Sequence, residues 1–94
     1  MSNMAAVHVI IRGYVQGVFF RAFVSKKASQ LNLVGYVRNL PGGKMVEVVA
    51  VGERKQLKKL SSQLKVGPPG AKVENVVTNW LDYADTYTDF NICY

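Results

Sequence analysis

The stretch GYVQGVFFR, residues 13–21, marks the place where the chain leaves a strand and enters a helix. Before it, the alternating segment VHVIIR, residues 7–12, predicts a strand that ends at Gly13. After it the period changes, and apolar residues at helical spacing predict a helix of about three turns that begins near Phe20. Its apolar stripe is Phe20, Phe23, Val24, Ala28 and Leu31.

The rest of the chain predicts a second βαβ unit followed by one more strand. Alternation predicts further strands, and the turn residues PGG at 41–43 predict a hairpin between the first two of them. These strands are 35–40, 45–51, 72–81 and 89–94. The fourth strand of the chain has a broken alternation, which indicates a bulge. A leucine stripe after Gly52 predicts the second helix, and it consists of Leu57, Leu60 and Leu64.

This order of elements predicts the fold class. Two helices with one apolar stripe each would cover one face of a sheet. We therefore expect an α+β protein, a ferredoxin-like βαββαβ sandwich with a mixed or antiparallel five-stranded sheet and both helices on one face. The 94 residues form a single domain, 1–94. Because this fold has many functions, the function must be argued from the site.

Composition limits the class of protein. The chain is 49% hydrophobic and has a formal net charge of +6, which favours anionic partners. It has no apolar segment of membrane-spanning length and no signal-like leader, so we expect a soluble, cytoplasmic monomer. One cysteine, Cys93, excludes an internal disulfide and a cysteine–zinc cluster. The one histidine, His8, is interpreted as a strand residue whose ring has a hydrogen-bonding partner.

The glycine-containing turn has the chemistry of a phosphate site. Gly13 and Gly17 permit backbone conformations closed to other residues and allow close approach to a ligand. Backbone N–H groups from residue 16 through 21 can converge at a helix N-terminus, and Arg21 adds a guanidinium suited to phosphate oxygens. The alternative is a plain strand-to-helix turn with a solvated arginine, and both readings stay open on spacing alone. A Walker-type nucleotide loop is excluded, because GxxxxGK[ST] is missing.

Two motifs resemble the acylphosphatase family. GYVQGVFFR at 13–21 is similar to its signature G-x-V-Q-G-V-x-F-R, and GYVRNLPGG at 35–43 resembles its second signature. The resemblance continues through VEVVAVG, GPP and DFNICY along essentially the whole chain. It implies a metal-independent, cofactor-free enzyme that hydrolyses acyl phosphates to a carboxylate and inorganic phosphate. It also implies site roles: Arg21 binds the phosphoryl group, Asn39 orients the attacking water, and the cradle is made by the backbone amides of Gln16, Gly17, Val18, Phe19 and Phe20.

This assignment is compatible with the chemistry of the substrate. The leaving group is a weakly basic carboxylate, so positioning and electrostatics can suffice without a histidine pair or a carboxylate dyad. Without the resemblance, Asn39 would be interpreted as a cap of the following turn. Arg38 is expected on the opposite face and solvated. The turn LPGGKM, residues 40–45, is one residue longer than is usual in the family, which is expected to shift Asn39 slightly.

Two other classes of function compete. A non-catalytic regulatory domain that binds a small anion would keep the cradle and lack turnover. An RNA-binding βαββαβ module shares the order of elements, but its third strand would need aromatic residues to stack on bases, and residues 45–51 contain none. Nucleic acid is therefore not the expected partner.

Overall fold

The computed structural model describes residues 3–94 and confirms the predicted order of elements. The strands are β1 (Met4–Tyr14), β2 (Val34–Asn39), β3 (Met45–Glu53), β4 (Lys72–Leu81) and β5 (Phe90–Cys93). The helices are α1 (Phe20–Gln30) and α2 (Arg54–Leu64). Neither helix of the described chain is long and apolar enough to cross a membrane.

The five strands form one mixed sheet in the order β4-β1-β3-β2-β5. The pairs of β1 with β3, β1 with β4 and β2 with β3 are antiparallel, and only β2 with β5 is parallel. Helix α1 packs on β2 and β5, while α2 packs on β1 and β3. This is the ferredoxin-like α+β fold that the sequence predicts.

The core lies between the sheet and the two helices. The inward positions of β1 and β3 meet the leucine stripe of α2 and the apolar stripe of α1, as the two periodicities predict. All members of this layer are fully or almost fully buried: Val7, Val9, Ile11, Val24, Ala28, Val46, Val48, Ala50, Leu57, Leu60 and Leu64. The burial of these side chains fixes which face of each strand is turned away from solvent.

The prediction that the first strand ends at Gly13 is wrong. The strand continues to Tyr14, and the register against β4 shifts between Arg12 and Gly13, so that Glu74 of β4 has no partner. This shift confirms the predicted bulge. A Cβ on Gly13 would lie 2.1 Å from the Lys72 carbonyl oxygen, and the φ of Gly13 is 144°. Glycine is therefore required here by the close approach of β4 and not by a ligand.

The helix-free face of the sheet carries a buried carboxylate. Glu47 accepts hydrogen bonds from His8 Nε2 at 2.8 Å, from the Tyr36 hydroxyl at 3.2 Å and from Arg38. These contacts join β1, β3 and β2. They confirm a satisfied ring for His8. Arg38 lies on the opposite face and is exposed, as expected, and it also binds Glu47, which the sequence did not predict.

Two effects act on the pKa of the Glu47 carboxyl. Burial raises this pKa, but the hydrogen bonds from His8, Arg38 and Tyr36 and the positive charge of Arg38 together lower it by more. The pKa of Glu47 therefore lies below its ordinary value. A carboxyl group whose pKa is lowered in the folded state stabilises that state above its unfolded pKa, and the contribution is lost as the pH falls through the folded value.

We predict that Glu47→Gln lowers the free energy of unfolding by about 1–3 kcal/mol at pH 7, because the amide replaces a charged acceptor of several hydrogen bonds. Urea denaturation at pH 7 and near pH 3 measures the effect. The difference from wild type should shrink at the lower pH, because the stabilisation by the carboxylate is lost as the pH falls toward its lowered folded pKa. The control is Glu74→Gln at the exposed bulge of β4. A difference that does not depend on pH would contradict the role of the carboxylate charge.

Candidate functional site

A cavity of about 290 Å³ lies where the loop after β1 meets the ends of β2 and β5. It brings together residues from both sequence motifs and from the C-terminal strand. The main contributors are Gly17, Phe19, Phe20, Arg21, Asn39 and Tyr94. Of the predicted site residues, Gln16 and Val18 do not line it. Residues 21 and 39, which are distant in sequence, thus share one cavity.

The loop into α1 has backbone N–H groups that are free to bind an anion. The first hydrogen bond of the helix runs from the Phe23 N–H to the Phe19 carbonyl oxygen at 3.0 Å. Within residues 3–94, no N–H group from residue 16 through 22 donates to an oxygen of the chain. Gly17 has a φ of 75° and Phe19 a φ of 58°, both in the left-handed region. Such a loop at a helix N-terminus forms a concave surface of N–H groups that favours negative charge.

Arg21 lies in the first turn of α1 and is held by the C-terminal segment. Its Nη1 donates to the Cys93 carbonyl oxygen at 3.1 Å, and its guanidinium carbon lies 4.5 Å from the centroid of the Tyr94 ring. In the described chain no carboxylate forms an ion pair with Arg21. A guanidinium has five N–H donors, so most remain available. The positive charge is therefore oriented, and it is not neutralised by the protein itself.

Asn39 is the last residue of β2 and lies on the helix-facing side of the sheet, opposite Val46. Its Oδ1 is buried, and no donor within residues 3–94 reaches it. A cap of the following turn would accept a hydrogen bond from that turn, so this observation disfavours the alternative role for Asn39. A buried acceptor with no protein partner is costly unless water or a ligand supplies a donor. Asn39 is one of the residues that line the cavity, so a donor bound there is the candidate partner for this amide.

The side chain of Gln16 connects the loop to the second motif. Its Nε2 donates to the carbonyl oxygens of Leu40 and Met45, each at 2.9 Å. These residues are joined to each other by a bond from the Leu40 N–H to the Met45 carbonyl oxygen at 3.0 Å. Sequence reasoning assigned Gln16 a backbone role only and missed this bridge. No local pattern marks it, because its partners lie 24 and 29 residues away.

Comparisons with known proteins find similar proteins over almost the whole chain. A family model described as acylphosphatase matches residues 7–92. An acylphosphatase from Pyrobaculum aerophilum is 44% identical over 90 residues, which are 96% of this chain and 95% of that protein. The structure of an acylphosphatase from Coxiella burnetii has a TM-score of 0.91 and 45% identity, and the match covers 97% of this chain and 94% of that one. The crystal structure of acylphosphatase from Bacillus subtilis has a TM-score of 0.91 and 32% identity, with 96% and 99% covered.

We predict that Gln16→Glu lowers the free energy of unfolding by about 2 kcal/mol or more. The carboxylate has the same shape but cannot donate, so two carbonyl groups lose a partner and face a negative charge. Chemical denaturation measures the loss. Hydrogen exchange of the Leu40 amide should also become faster relative to the amides of β3, because the bridge that holds the turn is gone.

The matched control is Gln30→Glu, which makes the same change at an exposed position at the end of α1. It should change stability by no more than about 0.5 kcal/mol. Equal effects at both positions would show that the bridge from Gln16 does not hold the turn.

Proposed function

Since this chain belongs to the acylphosphatase family, we propose that it hydrolyses acyl phosphates with Arg21 as the phosphoryl-binding residue, Asn39 as the residue that positions water, and no metal ion. The chain is an enzyme of this family, and its reaction releases a carboxylate and inorganic phosphate. The proposal also assigns the phosphate cradle to the backbone amides of the loop, which by sequence are those of residues 16–20.

One observation supports these roles more than any other. Three kinds of group without a partner in residues 3–94 belong to residues that line or adjoin one cavity: the N–H groups of the loop, the free donors of the Arg21 guanidinium and the Oδ1 of Asn39. The first two are positive and suit an anion, whereas the third is an acceptor and suits the hydrogen of a water molecule. A donor surface and an acceptor on one cavity are what a bound phosphoryl group and an attacking water require.

In the first step the phosphoryl group binds. Its oxygens accept hydrogen bonds from the loop amides and from the free donors of the Arg21 guanidinium. The charge on these oxygens is retained or grows in the transition state, so the same donors lower the barrier. The bond to the Cys93 carbonyl and the Tyr94 ring keep the guanidinium in place before the substrate arrives, which reduces the reorganisation needed during the reaction.

In the second step water attacks. The Oδ1 of Asn39 accepts a hydrogen bond from this water and turns a lone pair of the water oxygen toward phosphorus. The new bond between the water oxygen and phosphorus forms as the bond from phosphorus to the acyl oxygen breaks. The electron pair of the broken bond leaves with the carboxylate, and the proton of the water passes to a phosphoryl oxygen. Asn39 does not act as a base.

The nature of the leaving group explains why so few residues suffice. A carboxylate is a weak base and leaves without a proton, so no general acid is needed at the acyl oxygen. Positioning and fixed positive charge then carry the reaction. We also propose that the enzyme acts as a monomer. We propose the cytoplasm as its compartment, as the composition suggests.

We predict that Arg21→Ala lowers kcat/KM for benzoyl phosphate by at least about 10²- to 10³-fold and abolishes inhibition by inorganic phosphate, because it removes a donor that acts in both the ground state and the transition state. Asn39→Ala should lower kcat by a similar factor and leave the inhibition constant of phosphate near the wild-type value. Assays at neutral pH in EDTA measure both. Wild-type turnover should not change when the chelator is added.

Two surface positions outside the cavity serve as controls. Arg12→Ala on β1 and Asn79→Ala on β4 make the same changes at exposed residues and should keep wild-type kinetics. Equal loss of phosphate affinity in Arg21→Ala and Asn39→Ala would refute the division of roles. Loss of wild-type activity in EDTA would refute metal independence. A folded wild type that binds phosphate but does not turn over would point to an anion-binding domain.

A further inference from the structure

We propose that the side chain of Phe19 selects the acyl group of the substrate and favours aromatic over small aliphatic acyl phosphates. This inference rests on the proposed function of the same cavity, because it places the acyl group next to the phosphate cradle. It concerns the ring of Phe19, whereas the cradle uses only the backbone N–H of this residue.

The ring of Phe19 is exposed at a functional cavity. Residue Phe19 lines the cavity with Arg21 and Asn39 and is 85% exposed, while the neighbouring Phe20 is 1% exposed and belongs to the core. The two adjacent phenylalanines therefore have different roles. An exposed aromatic ring at a residue that lines a functional cavity is available to contact a bound ligand.

The backbone of Phe19 supports the same interpretation. Its φ of 58° and ψ of 28° lie in the left-handed region, which large side chains rarely adopt and which glycine adopts freely. A glycine at this position would complete the turn into α1 with less strain. The chain instead has a phenylalanine there, and its ring makes no contribution to the buried core. Strained residues at a cavity are often retained for a function of the side chain.

The geometry of in-line phosphoryl transfer determines on which side of the phosphorus atom the acyl group lies. Arg38 of β2 pairs with Cys93 of β5 in parallel register, so Asn39 and Tyr94 follow paired residues at the same end of the sheet, and both line the cavity. The ring of Tyr94 is already engaged by the guanidinium of Arg21. In-line attack places the acyl group on the side of phosphorus opposite the water at Asn39. From the other segment, the loop before α1, Phe19 is the cavity-lining residue whose aromatic side chain is exposed.

A benzoyl group has an apolar face that can stack on Phe19, whereas an acetyl group is too small to cover it. We expect Phe19→Gly to lower the ratio of kcat/KM for benzoyl phosphate to that for acetyl phosphate by about 2- to 12-fold, the factor that one stacked aromatic pair supplies. Glycine is chosen because it accepts the left-handed backbone. Phe19→Tyr keeps the aromatic face and should keep the wild-type ratio.

Binding of inert analogues separates this inference from the proposed catalysis. The affinity of benzylphosphonate relative to methylphosphonate, measured by calorimetry, should fall in Phe19→Gly by the same factor as the kinetic ratio. If the wild type binds both compounds but hydrolyses no acyl phosphate, the proposed catalysis fails, and the change in relative affinity still decides the role of Phe19.

The matched control is Tyr14→Ala, which removes an aromatic ring that is 61% exposed and does not line the cavity. It should leave both ratios at the wild-type value. The proposal is overturned if both ratios in Phe19→Gly stay within twofold of wild type, or if Phe19→Tyr changes them as much as Phe19→Gly does, because the ring would then not contact the acyl group.

Discussion

The two hydrogen bonds from the Gln16 carboxamide are the constraint on which the cavity depends. They hold the hairpin end at Leu40 and Met45 against the loop that follows β1. Asn39 immediately precedes that hairpin end, and Arg21 follows the loop. The distance between the proposed water site and the phosphoryl site is thus set through Gln16, in a region that has no disulfide to fix it. Displacements of about 1 Å are enough to slow reactions that rely on positioning.

The parallel pairing of β2 with β5 is the second constraint on the cavity, because it positions the residues that hold Arg21. β5 joins the sheet at the edge beside β2, which brings Cys93 next to Arg38. The carbonyl group of Cys93 then reaches Arg21, and Tyr94 packs against the same guanidinium. The contact between Arg21 and Cys93 joins residues 72 positions apart. The topology of the fold, and not the motif around Arg21 alone, therefore orients the positive charge.

Local patterns in the sequence were enough to predict the helices and strands, but they did not predict the long-range contacts. The alternation of Val7, Val9 and Ile11 and the stripe of Leu57, Leu60 and Leu64 depend on residues close in sequence, and the structure buries them as expected. Arg21 and Asn39 were found because a family resemblance marks them, and the structure places both on one cavity.

The contacts that the sequence did not predict have a common physical cause. The bridge from Gln16, the partners of Glu47 and the close approach of β4 to Gly13 each depend on how strands pair. Pairing brings together residues that no short window of sequence contains. The same cause explains why Gly13 was assigned to a ligand site, although the backbone of β4 is what excludes a side chain there. The ionisable groups of Glu47 and His8 stabilise the helix-free face of the sheet, while the cavity combines one fixed positive charge with neutral amides. Glu47 and His8 thus have a structural role away from the cavity, which is consistent with the proposed reaction, whose leaving group requires no proton from the protein.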